Sequence, residues 1–171
     1  MKNTIVAVVI LFLMISCQQQ SQQPNIIFVY ADQWRAQALG YSGNAQVITP
    51  NIDDLANESV NMTTAVSNVA VCAPARASLL SGQFPLTHGL FYNDKPFKPN
   101  GPTMAEVLKQ NGYQTAYIGK WHLKGHKEGE TMANSRSTPV LKEDRMGFDY
   151  WKVLECTHDY NNSFYYDEEN V

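Results

Sequence analysis

Cys72-Ala73-Pro74-Ala75-Arg76-Ala77-Ser78-Leu79-Leu80-Ser81-Gly82 constrains this chain more than any other stretch. The spacing predicts a short helix with a reactive residue at its mouth. Proline at 74 has a φ suited to a first helical turn, where its missing N–H costs nothing. Leu79 and Leu80 offer an apolar face, and Gly82 is able to close the helix in the left-handed region. Cys72 then sits where unpaired N–H groups and the positive end of the dipole collect, a setting that favours anions. Taken alone, a cysteine is more often a buried small hydrophobe.

The 171 residues suffice for one domain with its own core, and 44% hydrophobic with 11% aromatic content is that of a globular chain. A net charge of −3 offers no broad basic surface, which argues against nucleic acid as a partner. An anionic substrate must be held by a few local cations.

The N-terminus reads as a targeting segment. Lys2 precedes an unbroken apolar run, residues 5–15. That run is shorter than the roughly 20 residues a membrane-spanning helix needs and fits a signal-peptide core. Leu13-Met14-Ile15-Ser16-Cys17 resembles the lipobox of bacterial lipoproteins, with Met14 in place of the usual leucine. The expected organisation is a signal peptide over 1–16, a lipidated Cys17, a polar tether over 17–23 and a folded part over 24–171. The expected location is the bacterial cell envelope, with a lipid anchor at the periplasm or the outer-membrane surface. An ordinary secretory signal with an incidental cysteine is the alternative. Cys156, the third cysteine, is read as structural, and no intrachain disulfide is forced.

Along the chain, Ile26-Ile27-Phe28-Val29-Tyr30-Ala31 lacks polar alternation and reads as a buried strand of a parallel sheet, ending at Asp32-Gln33. In open α/β sheets functional residues gather at such carboxyl ends, although a lone Asp there is usually a turn residue. Thr49-Pro50 predicts a capped helix start with Asp53 and Asp54 in its first turn. Residues 60–71 read as a strand delivering Cys72. His88 is read as structural. Thr103 with Glu106 forms a capping box for a helix over 104–110, stopped by Asn111-Gly112. A strand over 113–118 then leads into Gly119-Lys120-Trp121-His122, where alternation would point Lys120 and His122 the same way. Read alone, Lys-Trp-His is a surface edge with a packed Trp. Residues 125–144 read as a long polar loop, with order returning at Met146-Gly147-Phe148-Asp149-Tyr150-Trp151. His158, Asn161, Asn162, Tyr165 and Tyr166 suit sugar hydroxyls and rings, and equally an ordinary polar surface.

Cys72-x-Pro74-x-Arg76 followed by Leu79-Leu80-Ser81-Gly82 resembles the signature of the type I sulfatase family, with Ser81 where the family more often has Thr. Pro24-Asn25-Ile26 through Ala31-Asp32 resembles the family's opening motif, and residues 112–122 fit its second signature. The stretch 154–166 is similar to a segment of N-acetylglucosamine-6-sulfatases. The resemblance implies an α/β fold, an alkaline-phosphatase-like sandwich with a largely parallel sheet and helices on both faces, here as its N-terminal part only. It implies oxidation of Cys72 to formylglycine by a sulfatase-maturing enzyme. The hydrated aldehyde would attack the sulfur of a sulfate ester and release the alcohol, and its second hydroxyl would then collapse to the aldehyde and expel sulfate. It implies a catalytic set of Cys72, Arg76, Lys120 and His122. Calcium, or another divalent cation, would be held by Asp32, Gln33 and residue 72. Many relatives have Asp where this chain has Gln33. The implied partner is a sulfated carbohydrate.

After His122 the chain has no Asp-Asn-Gly or Asp-His-Gly, the motif that supplies further cation ligands in the family. Weak metal affinity and little turnover are therefore expected of this chain by itself. Two other readings stay open. One is a phosphonate monoester or phosphodiester hydrolase of the same superfamily, and the other a lipid-anchored glycan-binding remnant without catalysis.

Overall fold

The computed structural model describes residues 23–167. The segments expected to be a signal peptide and a tether, with Cys17 between them, lie outside the described residues up to residue 22. The chain divides into two units, 1–31 and 32–171. In the first, residues 23–31 run without a strand assignment, with Ile27 87% and Val29 88% exposed. The expected buried strand is therefore not formed among the described residues. A β-branched run becomes a strand only when a neighbour completes its ladder. Phe28 and Tyr30 do stack, centroids 6.3 Å apart, as the two-residue period of an extended chain requires.

The second unit opens with 3-10 turns at Ala36–Ala38 and Gly40–Ser42, then helix α1 (Pro50–Glu58). Pro50 takes the first helical position as expected, but Thr49 does not cap with its side chain. Its Oγ1 donates to Asp53 Oδ1 at 2.9 Å and accepts from the Gly40 N–H at 2.9 Å. Asp53 also accepts from the Tyr41 N–H at 2.7 Å, so the pair ties α1 to the preceding turn. Only Asp53, not Asp54, belongs to the acidic first turn.

Residues 60–71 form turns and bends rather than a strand, with Val60 and Val66 exposed. Polar residues break the run by bonding locally, as Ser67 Oγ does to the Val69 carbonyl at 3.0 Å. Helix α2 (Cys72–Ser81) follows and ends as read, at Gly82 with φ 66° and its N–H on the Ser78 carbonyl. Ala73, Pro74, Arg76, Ala77 and Leu80 are all buried. A single turn, α3 (Pro85–His88), holds His88, whose Nδ1 accepts from the Leu90 N–H at 3.1 Å and whose Nε2 meets Ser78 Oγ at 2.9 Å. Both ring nitrogens are thus used in packing this turn on α2.

Helix α4 (Met104–Gln110) carries the full capping box between Thr103 and Glu106. It closes in a Schellman motif, Gly112 N–H to Lys109 and Tyr113 N–H to Leu108. That motif uses Tyr113, so strand β1 starts later than the sequence pattern indicates, at Ala116–Lys120. Strand β2 (Tyr150–Leu154) pairs with it in parallel, Ala116 opposite Tyr150 and Lys120 opposite Leu154. Parallel neighbours need a crossover. Residues 125–144 supply it, and they are not all loop: they contain α5 (Met132–Arg136) and a 3-10 turn, Lys142–Asp144. The Thr131 side chain caps α5 by accepting from the Asn134 N–H, a signal of one short turn.

The core joins α2 to the ends of both strands. Ala73, Ala77 and Leu80 pack in one cluster with Trp121, Leu123, Trp151 and Val153. The Trp121 and Trp151 rings meet edge to face at 4.9 Å, with Tyr117 against Trp121 at 5.1 Å. Cys156 is buried as well, in keeping with a structural cysteine. This core fixes the head of α2 beside the carboxyl end of β1.

Candidate active site

Small residues at 73 and 77 let α2 approach the Trp121–Trp151 pair closely, and its first turn then faces Lys120. Cys72, the first residue of α2, is half-buried, with its Sγ 3.4 Å from Asp32 Oδ1. The next N–H, of Ala73, is taken by Asn93 Oδ1 at 2.9 Å. Arg76 is buried one turn along and donates from Nη2 to Asp32 Oδ2 at 2.8 Å. Its Nη1 donates to the Tyr117 hydroxyl at 3.0 Å and to the Lys120 carbonyl at 2.5 Å. Tyr117 passes its own proton to the same carbonyl at 2.7 Å. Lys120 Nζ completes the group, 3.0 Å from Asp32 Oδ2. Asp32, Cys72, Arg76 and Lys120 are thus one contact cluster. Gln33 follows Asp32 with φ 26° and an exposed side chain.

His122 lies apart from that cluster. β1 ends at Lys120, and His122 takes φ 57°, so strand alternation does not carry over to it. The shared direction expected of Lys120 and His122 is corrected accordingly. His122 is 3% exposed, with Nε2 3.5 Å from Asp94 Oδ1. Asp94 is itself held by Arg136, from Nη2 at 2.8 Å and Nε at 3.2 Å.

The charges follow from these contacts. Partial burial pushes the Asp32 carboxyl up, but hydrogen bonds and charge from Arg76 and Lys120 overcome it and hold Asp32 well below the usual carboxylate range. Burial pulls Lys120 down, yet its bond to Asp32 leaves it raised overall. Burial and the Lys120 charge outweigh Asp94 and bring His122 to about 4, so the imidazole is neutral at neutral pH. Two fixed cations against one carboxylate leave the head of α2 with an excess of positive charge, a seat for an anion.

Tyr117, Asn93, Asp94 and Arg136 escape the sequence reading. Tyr117 sits three residues before Lys120 inside a strand, where an aromatic normally signals packing. Asn93-Asp94 is a turn-like pair, and Asp94 does adopt φ 60°. Its site contacts come from residues 122 and 136, which no local pattern links to it.

Among the described residues no group of three or more His, Cys, Asp or Glu could hold a metal ion. A calcium ion takes six to eight oxygens. Asp32 with neighbouring Gln33 offers one edge of such a shell, and Asp32 is already engaged by two cations. By themselves these residues do not fit a divalent cation.

Similarity to known proteins bears on this arrangement. The family profile described as Sulfatase matches residues 24–170. The chain belongs to the sulfatase family. The chain is 49% identical, over 96% of its length, to an ulvan-active sulfatase of Formosa agariphila, and spans 32% of that protein. A Bacteroides fragilis structure named for the sulfatase YidJ superposes with a TM-score of 0.78 at 32% identity, over 91% of this chain and 37% of the other. The structure of BT4656 with its substrate D-glucosamine-2-N,6-O-disulfate superposes at 0.63 with 35% identity, over 80% of this chain and 24% of that one. The fold is therefore that of the alkaline-phosphatase-like sulfatases, and the chain spans about a third of the length of the relatives it matches.

Proposed function

We propose that this sulfatase contributes the nucleophile-bearing part of a hydrolase of sulfate esters on glycans. The observation that carries the reading is Cys72 at the head of α2, within one contact cluster with Asp32, Arg76 and Lys120. The activities named for its relatives support sulfated carbohydrate as the substrate class. Cys72, once oxidised to formylglycine by a maturing enzyme, would supply a hydrated aldehyde hydroxyl as the attacking group.

The other residues do the electrostatic work. Arg76 is fixed by three acceptors and holds negative charge at residue 72 in place. Lys120 has three donor hydrogens and commits one to Asp32, which leaves others for a sulfate oxygen. Neutral His122 is able to donate from one ring nitrogen and accept at the other, and suits a hydrogen bond to the sulfate or the attacking hydroxyl. Removing one such contact typically costs about 10²–10³ in rate. Asp32, with Gln33, would lie at one edge of a cation shell completed by residues outside this chain. We extend the proposal to lipidation at Cys17 and anchorage in the bacterial envelope, on the lipobox-like sequence before it.

The test is turnover of an aryl sulfate against an aryl phosphonate by the complete protein. Preference for the sulfate upholds the reading. Preference for the phosphonate replaces it with phosphonate ester hydrolysis, and turnover of neither leaves a glycan-binding remnant.

A further inference from the structure

Glu155 follows β2 directly and is 2% exposed. Lys124 and Arg136 lie near enough to feel its charge, and buried Cys156 is its neighbour, but no ion pair involves it among the described residues. Its Oε1 accepts the Gly125 N–H at 3.1 Å, and Oε2 has no hydrogen-bond partner. A buried carboxylate kept on so few bonds is costly, and such groups are retained where they organise something.

What it organises is the turn after β1. The Trp121 N–H bonds the Leu154 carbonyl and the His122 N–H bonds the Glu155 carbonyl, both at 2.8 Å, which keeps the chain tied to the end of β2 as it leaves β1. The chain then swings through two left-handed residues, His122 at φ 57° and Gly125 at φ 61°. Both ends of the 122–125 turn hang on Glu155, the first on its main chain and the second on its side chain. On its other side the turn is wedged against backbone. A Cβ on Gly125 would stand 2.2 Å from the Lys95 carbonyl carbon and the Pro96 nitrogen, next to Asp94, which faces His122.

We propose that Glu155 is a positioning residue for His122, clamping the 122–125 turn so that the imidazole is held beside Asp94. The inference rests on the reading above that His122 serves the sulfate-ester site. Burial pushes Glu155 up to about 7, against the pull of the Gly125 N–H.

The test is heteronuclear NMR on the 15N-labelled 171-residue chain. In Glu155→Gln, the Gly125 amide and the His122 ring nitrogens are expected to shift while amides in the middle of α2 do not, and Glu155→Asp should return part of the shift. A Glu155 that only fills space would leave the His122 ring signals of the folded protein where they are, and that result overturns the proposal. Should Glu155→Gln not fold, hydrogen exchange of the wild type decides. Protection of Gly125 about 100-fold above the exposed Gly129 upholds the clamp, and equal exchange overturns it. Where turnover is measurable, kcat should fall about 10- to 100-fold with KM little changed. Absence of turnover in the complete wild-type protein would sink the functional reading and leave the NMR result standing.

Discussion

Cys72 and Asp32 stand 40 residues apart in sequence and 3.4 Å apart in space, thiol sulfur to Oδ1. The same carboxylate receives Arg76 and Lys120, so one acid gathers two residues from α2 and one from the end of β1. Asp32 is therefore the residue on which the cluster turns.

Arg76 is expected to be the least replaceable member. It is buried and bonds Asp32, the Tyr117 hydroxyl and the Lys120 carbonyl together. Arg76→Ala should destabilise the chain by about 3 kcal/mol, since it strands partners in a largely desolvated place. Arg76→Lys should recover less than half, because an ammonium lacks the planar fork that spans the three acceptors. Urea denaturation midpoints with unchanged slope would check both.

His122 gives a pH signature of definite sign. Its folded value, about 4, lies below the ordinary 6.5 because of burial and the Lys120 charge. Between those values the unfolded chain binds the extra proton, so stability rises with pH through that window and is complete above it. The contribution is on the order of 2 kcal/mol. His122→Gln should remove this contribution and leave stability falling with pH over the same interval. Asp32 and Asp94, both lowered, lose their contributions only as pH falls below the ordinary carboxylate value, a separate window.

Glu155 runs the other way. Burial raises it from 4.5 to about 7, so the folded chain holds the extra proton in that interval and stability falls as pH rises through it. The windows of Glu155 and His122 overlap with opposite signs, and the wild-type profile should look nearly flat there. Single variants separate them: Glu155→Gln should unmask a steeper rise. A profile identical to wild type would refute the assignment.

How far these features were legible depends on how local their causes are. Helix α4 was readable to the residue because Thr103, Glu106 and Gly112 act within one turn of its ends. Helix α2 was readable for the same reason, through Pro74 in its first turn and Gly82 at its close. Residues 26–31 and 60–71 carry β-branched side chains, but pairing is not a local property, and neither run finds a ladder partner among the described residues. Asp94 and Tyr117 were missed since they reach the site through partners 28 or more positions away: Asp94 on His122, Tyr117 on Arg76. Strand alternation failed at His122, where the chain had already left the sheet.

Calcium should bind this chain weakly. With Asp32 as the one carboxylate at the head of α2 and no three-residue cluster among the described residues, calorimetric titration should give a Kd no tighter than about 1 mM. Tight binding would mean that the chain completes a cation shell by itself.

The most direct measurement is peptide mass spectrometry across residue 72, on protein taken from its native host. The account predicts an aldehyde in place of the thiol, the mass of formylglycine at that position. An intact Cys72 throughout the population would contradict it, and would leave the cluster around Asp32 as an anion-binding site without a nucleophile.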